Sequence, residues 1–231
     1  MNNYIVIGGS SGIGKALCTL LAKKANVFAS YCKNKISSDS TNLTYFHYDV
    51  LSDETINFDL PDKIDGLIYC PGNISLKPFK RIKPEQFAAD YNLQVIGAIK
   101  TVQHLLPKLL AAENPSILFF STVAVQQGFT FHTQVSTSKG ALEGLTRSLA
   151  AELAPKVRVN AIAPSLIDTP LAEKFLNTPE KRELSAKRHP LNKIGSPDNL
   201  AELSSFLVSD KASWITGQII KADGGLSTIK L

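Results

Sequence analysis

Short apolar runs alternate along the chain with longer stretches of helical period. The first run, Tyr4-Ile5-Val6-Ile7, breaks at a Gly/Ser loop, Gly8-Gly9-Ser10-Ser11-Gly12-Ile13-Gly14. Residues 15–24 then carry Leu17, Leu20 and Leu21 at helical spacing. Further runs predict strands at Asn26–Ser30, Leu43–Tyr48, Ile64–Cys70, Ser116–Ser121, Val157–Ala163 and Ile219–Lys221. Helical period returns from Pro84 to about Leu110, with a break expected at Pro107. It returns again from Val135 to about Leu153, and from Pro197 to about Val208. Strands alternating with helices in this way predict one α/β domain over residues 1–231, built on a doubly wound, Rossmann-like parallel sheet of seven strands. The crossover after the third strand is the exception. Leu51–Lys63 holds Asp53, Glu54, Asn57, Asp59, Pro61 and Asp62, and is too short and broken for a full helix. A turn or two of helix, or a loop, is expected there, leaving one sheet face less covered. Residues 166–191, with Thr169, Pro170, Pro179 and Pro190, read as a substrate-side lid beside the C-terminal strand ends.

The Gly/Ser loop has the order strand, tight turn, helix. Gly8 lets the strand turn, Gly12 presents no side chain to a diphosphate, and Gly14 lets the helix sit close to the strand. The helix N-terminus offers free N–H groups and a partial positive charge. Ser10, Ser11 and Ile13 belong to the same cradle. At the end of the second strand, Tyr31-Cys32-Lys33 holds no carboxylate that would accept a ribose hydroxyl and repel a 2′-phosphate. Lys33 reads either as the partner of such a phosphate or as a solvated side chain. Asp49 can accept from an adenine amino group or cap the following turn.

The spacing Gly8-x3-Gly12-x-Gly14 resembles the glycine motif of the short-chain dehydrogenase/reductase family. Asp49-Val50 resembles the pair that borders the adenine there, and Trp214 to Gly225 resembles the signature of the seventh strand. The resemblance spans Ile5 to Gly225. The chain departs from the family pattern in two places. Tyr69-Cys70-Pro71-Gly72 keeps only the Gly72 of Asn-Asn-Ala-Gly, and Pro164-Ser165 stands where the family usually has Pro-Gly. The resemblance implies an NAD(P)-dependent oxidoreductase that moves a hydride between nicotinamide and a small carbonyl, alcohol or conjugated substrate. Gly72, Lys139 and Pro164 would border the cofactor, and Tyr31 falls where NAD-preferring relatives carry an Asp. NADP(H) is therefore expected over NAD(H).

The family places a tyrosine four residues before its catalytic lysine, with a Ser or Thr hydroxyl and a helix asparagine completing the site. Thr122, Asn92 and Lys139 match the hydroxyl, the asparagine and the lysine. The tyrosine position is Val135, thirteen residues after Thr122, and no tyrosine follows Tyr91. Three readings stay open. His132, which shares a helical face with 135 and 139, could supply the proton. It also lies seven residues before the lysine, where the enoyl reductase branch carries its tyrosine. Alternatively, an activated substrate needs no strong protein acid. In the third reading the protein is a catalytically inactive dinucleotide-binding or interaction protein.

Composition narrows the partners. The formal charge of +5 is scattered, with no basic cluster interleaved with aromatics, so nucleic acid is not expected. Cys18, Cys32 and Cys70 lack metal spacing, so neither a metal site nor a disulfide framework is expected. The N-terminus reads as strand rather than signal peptide, and no apolar run is long enough for a membrane span. The expected location is cytoplasmic. Val95, Ile96, Ile99 and Val102, with Leu142, Leu145, Leu149 and Leu153, form apolar stripes that predict a homotetramer or homodimer.

Overall fold

The strands are β1 (Asn3–Ile7), β2 (Asn26–Tyr31), β3 (Leu43–His47), β4 (Gly66–Tyr69), β5 (Ser116–Phe120), β6 (Arg158–Pro164) and β7 (Ile219–Ala222). They lie parallel in one sheet, in the order β3-β2-β1-β4-β5-β6-β7. The fold comes from a computed structural model that describes residues 1–33, 35–52 and 55–230. All of β4 and β5 is buried, which is why their sequences are unbroken apolar runs rather than alternating ones. The helices are α1 (Gly12–Leu21), α2 (Pro84–Tyr91), α3 (Gly97–Leu110), α4 (Thr133–Leu153), α5 (Glu173–Leu176), α6 (Pro179–Lys187) and α7 (Pro197–Val208). Leu105 and Leu109 of α3 and Leu142 of α4 fill one face of the sheet. Leu17 and Leu21 of α1 and Leu200 and Leu207 of α7 fill the other.

Three local features differ from the periodic reading. First, the described part of residues 51–63 forms no helix, yet it covers its face of the sheet. Ile56 and Leu60 are buried, and Phe58 stacks on Phe46 at 5.2 Å between centroids. Asp53 and Glu54 lie outside the described residues. Second, Pro107 does not break α3. The carbonyl of Gln103 that loses its N–H partner faces solvent, so water can satisfy it, while Leu105 and Leu109 anchor the helix. Third, a π-helical turn, Asn92–Ile96, joins α2 to α3. The hydroxyl of Tyr69 donates to its Leu93 carbonyl at 2.6 Å.

The lid segment is pinned at both ends. Ile167 bridges to Gly195, and the Leu191 N–H donates to the Gly224 carbonyl at 3.1 Å. α7 opens on a reciprocal cap between Ser196 and Asn199. It closes where the Arg158 guanidinium donates to the carbonyls of Leu207 at 2.8 Å and Ser209 at 3.1 Å. Among the described residues, no helix is long and apolar enough to cross a membrane.

Candidate active site

The chain reverses its direction of growth across the sheet between β1 and β4. There the C-terminal strand ends open into one cavity of about 1070 Å³. It begins at the Gly/Ser loop. Gly8 has φ +77°, a left-handed backbone that lets β1 turn sharply. A Cβ on Gly14 would run into the carbonyl oxygen of Gly8, so only glycine lets α1 sit this close. The Gly8 N–H is held by Ser30 Oγ at 2.9 Å, which ties the loop to β2. Ser11, at the N-cap of α1, caps none of the first-turn N–H groups with its side chain, and no acid lies in that turn. These donors remain available to an anion. Ser10, Ser11, Gly12, Ile13 and Gly14 all line the cavity.

Lys33, Asp49 and Val50 line the neighbouring wall. Asp49 Oδ1 accepts from the Leu51 N–H at 2.9 Å, and the carboxylate also bonds the Cys32 side chain. Tyr31 lies outside the lining, and its ring packs edge-on against His47 at 5.7 Å.

At the opposite end, Gly72, Thr122, His132, Val135, Lys139 and Pro164 meet. Thr122 follows β5, and its Oγ1 accepts from the Ala124 N–H at 3.3 Å, so its own proton can point to a ligand. Val135 and Lys139 share the cavity face of α4, and both are buried. Burial lowers the Lys139 ammonium to about 8, against the opposing pull of the Asp90 carboxylate and Cys70. Burial pushes the Cys70 thiol up to about 12 despite that lysine. His132 precedes α4. Its Nδ1 meets the Thr130 carbonyl at 2.8 Å and its ring leans on Phe129, which leaves Nε2 as the uncommitted nitrogen.

Asn92, the sequence match to the family's asparagine, is exposed and lies outside the lining. The amide beside the lysine belongs to Gln94, which is fully buried. A Cβ on Gly72 would stand 3.4 Å from Gln94 Oε1 and 3.6 Å from Lys139 Nζ. Gln94 Nε2 donates to Asp90 Oδ2 at 2.7 Å, and so does Ser138 Oγ at 2.7 Å. The same bond aims Gln94 Oε1 away from Asp90, and that oxygen has no hydrogen-bond partner among the described residues. The signal was in the sequence. Asp90 and Gln94 stand four apart along one helical stretch, so both fall on its buried face. Within the π-helical turn it is Gln94, not Asn92, that faces inward. Ser165 and His189 also line the cavity, and sequence spacing alone does not bring them together.

These features test the fit of a dinucleotide. A glycine cradle with uncapped donors lies at one end, and a buried lysine beside an orphaned amide oxygen lies at the other. Both ends suit it, and the strand order with its loop defines a Rossmann-like dinucleotide-binding protein. The comparisons make the class more specific. A family model described as Enoyl-(Acyl carrier protein) reductase matches residues 8–227. The chain is 32% identical to 3-oxoacyl-(acyl-carrier-protein) reductase of Thermotoga maritima, with 96% of each chain covered. It is 28% identical to L-rhamnose 1-dehydrogenase (NADP(+)) of Thermoplasma acidophilum, covering 97% of this chain and 95% of that one. A short chain dehydrogenase family protein from Francisella tularensis superposes with a TM-score of 0.88 at 30% identity, covering 99% and 100% of the two chains. The chain belongs to the short-chain dehydrogenase/reductase family.

Proposed function

We propose that this protein is an NADP(H)-dependent oxidoreductase for a small, anionic carbonyl, alcohol or conjugated substrate, working without the tyrosine that the family resemblance puts at position 135. The observation that carries the reading is the meeting of Lys139 Nζ, Gly72 and the unpartnered Gln94 Oε1 at the far end of the cavity that begins at the glycine loop. A buried lysine costs folding free energy, so a ligand role explains it better than packing does.

In this reading the first-turn N–H groups of α1 hold the diphosphate, Asp49 accepts from the adenine amino group, and Lys33 pairs with a 2′-phosphate. Lys139 donates to the ribose hydroxyls beside Gly72 and Pro164. When bound, the nicotinamide supplies or accepts the hydride. Thr122 donates to the substrate oxygen and fixes its direction. Gln94, taking the place expected of Asn92, accepts from a water next to Lys139 and connects the site to Asp90. His132 Nε2 is a proton source suggested by its position on the cavity wall.

The charge on the substrate follows from the lid. Lys174, Lys181 and Arg188 line the cavity. Lys174 bonds the Ile74 carbonyl at 2.7 Å and Lys181 bonds Asn177 Oδ1 at 2.8 Å. Arg188 lies over the Phe129 ring at 5.9 Å. Their observed partners are neutral, so a carboxylate or phosphate entering between Leu171 and Phe175 would meet uncompensated positive charge. Val135 favours a second reading, a dinucleotide-binding protein that catalyses nothing, because valine cannot exchange a proton.

Fluorescence titration with NADPH and NADH, followed by turnover over a panel of carbonyls and enones, separates the two. The reading expects tighter NADPH binding, a roughly tenfold loss of it in Lys33→Ala with NADH unaffected, and a raised KM for anionic substrates in Arg188→Ala. NADPH binding without any turnover leaves the inactive reading standing. Tighter binding of NADH refutes the cofactor assignment.

A further inference from the structure

We propose that Ser165 and His189 form the proton relay of this site, with Ser165 as the catalytic residue that touches the substrate oxygen and His189 as the base behind it. The inference rests on the oxidoreductase reading above. It begins with a hydrogen bond that joins the end of β6 to the far end of the lid. Ser165 Oγ and His189 Nε2 stand 2.9 Å apart, and His189 Nδ1 meets the Ser185 carbonyl at 2.8 Å. A carbonyl can only accept, so Nδ1 carries the proton. In the neutral ring Nε2 is then the acceptor for the Ser165 hydroxyl. His189 is 4% exposed, so its tautomer and ring orientation are fixed by protein rather than by water. Gly224 makes room for it, since a Cβ there would stand 3.3 Å from His189 Cβ.

The sheet puts this pair beside the chemistry. Phe120 is level with Ile162 across β5 and β6, and the Ser121 N–H donates to the Ile162 carbonyl at 2.7 Å. Thr122 therefore stands level with Pro164, next to Ser165, and both hydroxyl residues line the cavity that Lys139 closes. Neighbouring hydroxyls are already engaged. Ser121 donates to Glu143 at 2.7 Å, Ser138 donates to Asp90, and Tyr69 donates to the Leu93 carbonyl. Ser165 instead faces a base that can both take and return a proton. His132 is less well placed, because its ring is partly exposed and no hydroxyl on the cavity wall bonds its Nε2 among the described residues.

The step balances in both directions. In oxidation the substrate alcohol gives its O–H proton to Ser165 Oγ while the Ser165 proton moves to His189 Nε2. The carbon gives its hydride to the oxidised nicotinamide, which leaves a carbonyl and an imidazolium. Reduction is the reverse, and solvent restores the ring's proton between turnovers.

The test uses the full chain as apoprotein and with NADPH. Ser165→Ala should lower kcat by about 10²–10⁴-fold, the usual worth of a positioned proton donor, with KM and the NADPH dissociation constant within a few-fold of wild type. Ser165→Thr, which keeps a hydroxyl, should recover much of the loss. Without any ligand, nitrogen-15 spectra of the histidine rings should show His189 Nε2 moving in Ser165→Ala and near its wild-type position in Ser165→Thr. Unchanged kcat in Ser165→Ala, or a His189 ring blind to that substitution, overturns the relay. A loss that follows His132→Ala and spares Ser165→Ala assigns the proton to His132 and also overturns it. Wild-type protein that binds NADPH and turns over nothing removes the oxidoreductase reading itself, and the wild-type arm reports that separately.

Discussion

Replacing Lys139 by methionine would separate what the lysine does for a ligand from what its burial does to folding. The side chain is buried beside Asp90 and Cys70. Loss of water around the ammonium is the largest influence on it, and the Asp90 carboxylate restores part of the loss. The ammonium therefore titrates at about 8 in the fold, against 10.5 ordinarily. At about 1.4 kcal/mol for each pH unit, the charged form is about 3 kcal/mol less favourable in the folded chain than in the unfolded one. Below pH 8 both states carry the charge and the whole penalty is present. Between pH 8 and 10.5 the unfolded chain holds a proton that the folded chain has released, so stability rises with pH through that window. Above it both states are neutral and the penalty is gone. Lys139→Met has the length of the lysine stem without the charge, and Asp90 keeps its Ser138 and Gln94 donors. Urea unfolding at pH 6.5, followed by far-ultraviolet circular dichroism, should show the variant more stable by up to about 3 kcal/mol. The gap should close by about pH 11, while NADPH affinity falls. A variant no more stable than wild type at pH 6.5, or a gap that does not narrow at high pH, refutes the argument. Trp214 fluorescence is the wrong probe, because that ring is 99% exposed in the fold.

Gly14→Ala would drive a methyl group into the Gly8 carbonyl oxygen and push α1 off β1. A loss of about 1–3 kcal/mol and of NADPH binding is expected, and a wild-type melting temperature would contradict the packing assigned there. Val135→Tyr puts a phenol on the cavity face one turn before Lys139. Ordinary carbonyl reduction should increase if the proton donor is what the site lacks, and a folded variant that binds NADPH without any gain would point to a diverged substrate pocket. Trp214 at 99% exposure and Phe206 at 40% leave aromatic surface by α7 that a second copy would cover. Sedimentation should give a dimer or tetramer at micromolar concentration, weakened in Trp214→Glu, and a monomer in the wild type refutes it.

What could be read in advance depended on whether the physics was local. The glycine cradle could be read because its strand, turn and helix are consecutive, and Gly14 answers a contact with Gly8 only six residues away. The strands could be read because burial on both faces leaves no polar positions to interrupt β4 and β5. Pro107 was expected to break a helix because propensity weighs the missing N–H alone. Whether the orphaned carbonyl can reach water is settled by the tertiary fold, and here Gln103 is exposed. Gln94 was hidden for a related reason. Asn92 is selected by its resemblance to the family's helix asparagine, and only the fold shows that Asn92 is exposed and that the buried amide in the π-helical turn at 92–96 is Gln94. Ser165 and His189 were the least legible. Ser165 stands just before the lid segment and His189 near its end, so they are joined only after the chain has run through α5 and α6. A Ser or His in isolation carries little information. Their pairing carries more, because the Ser185 carbonyl fixes one nitrogen and so decides what the other can do. Valine at position 135, where the family resemblance puts a tyrosine, is visible in one residue. A proton donor of the proposed kind is a property of the folded cavity, since a hydroxyl from any strand that reaches the substrate oxygen would serve.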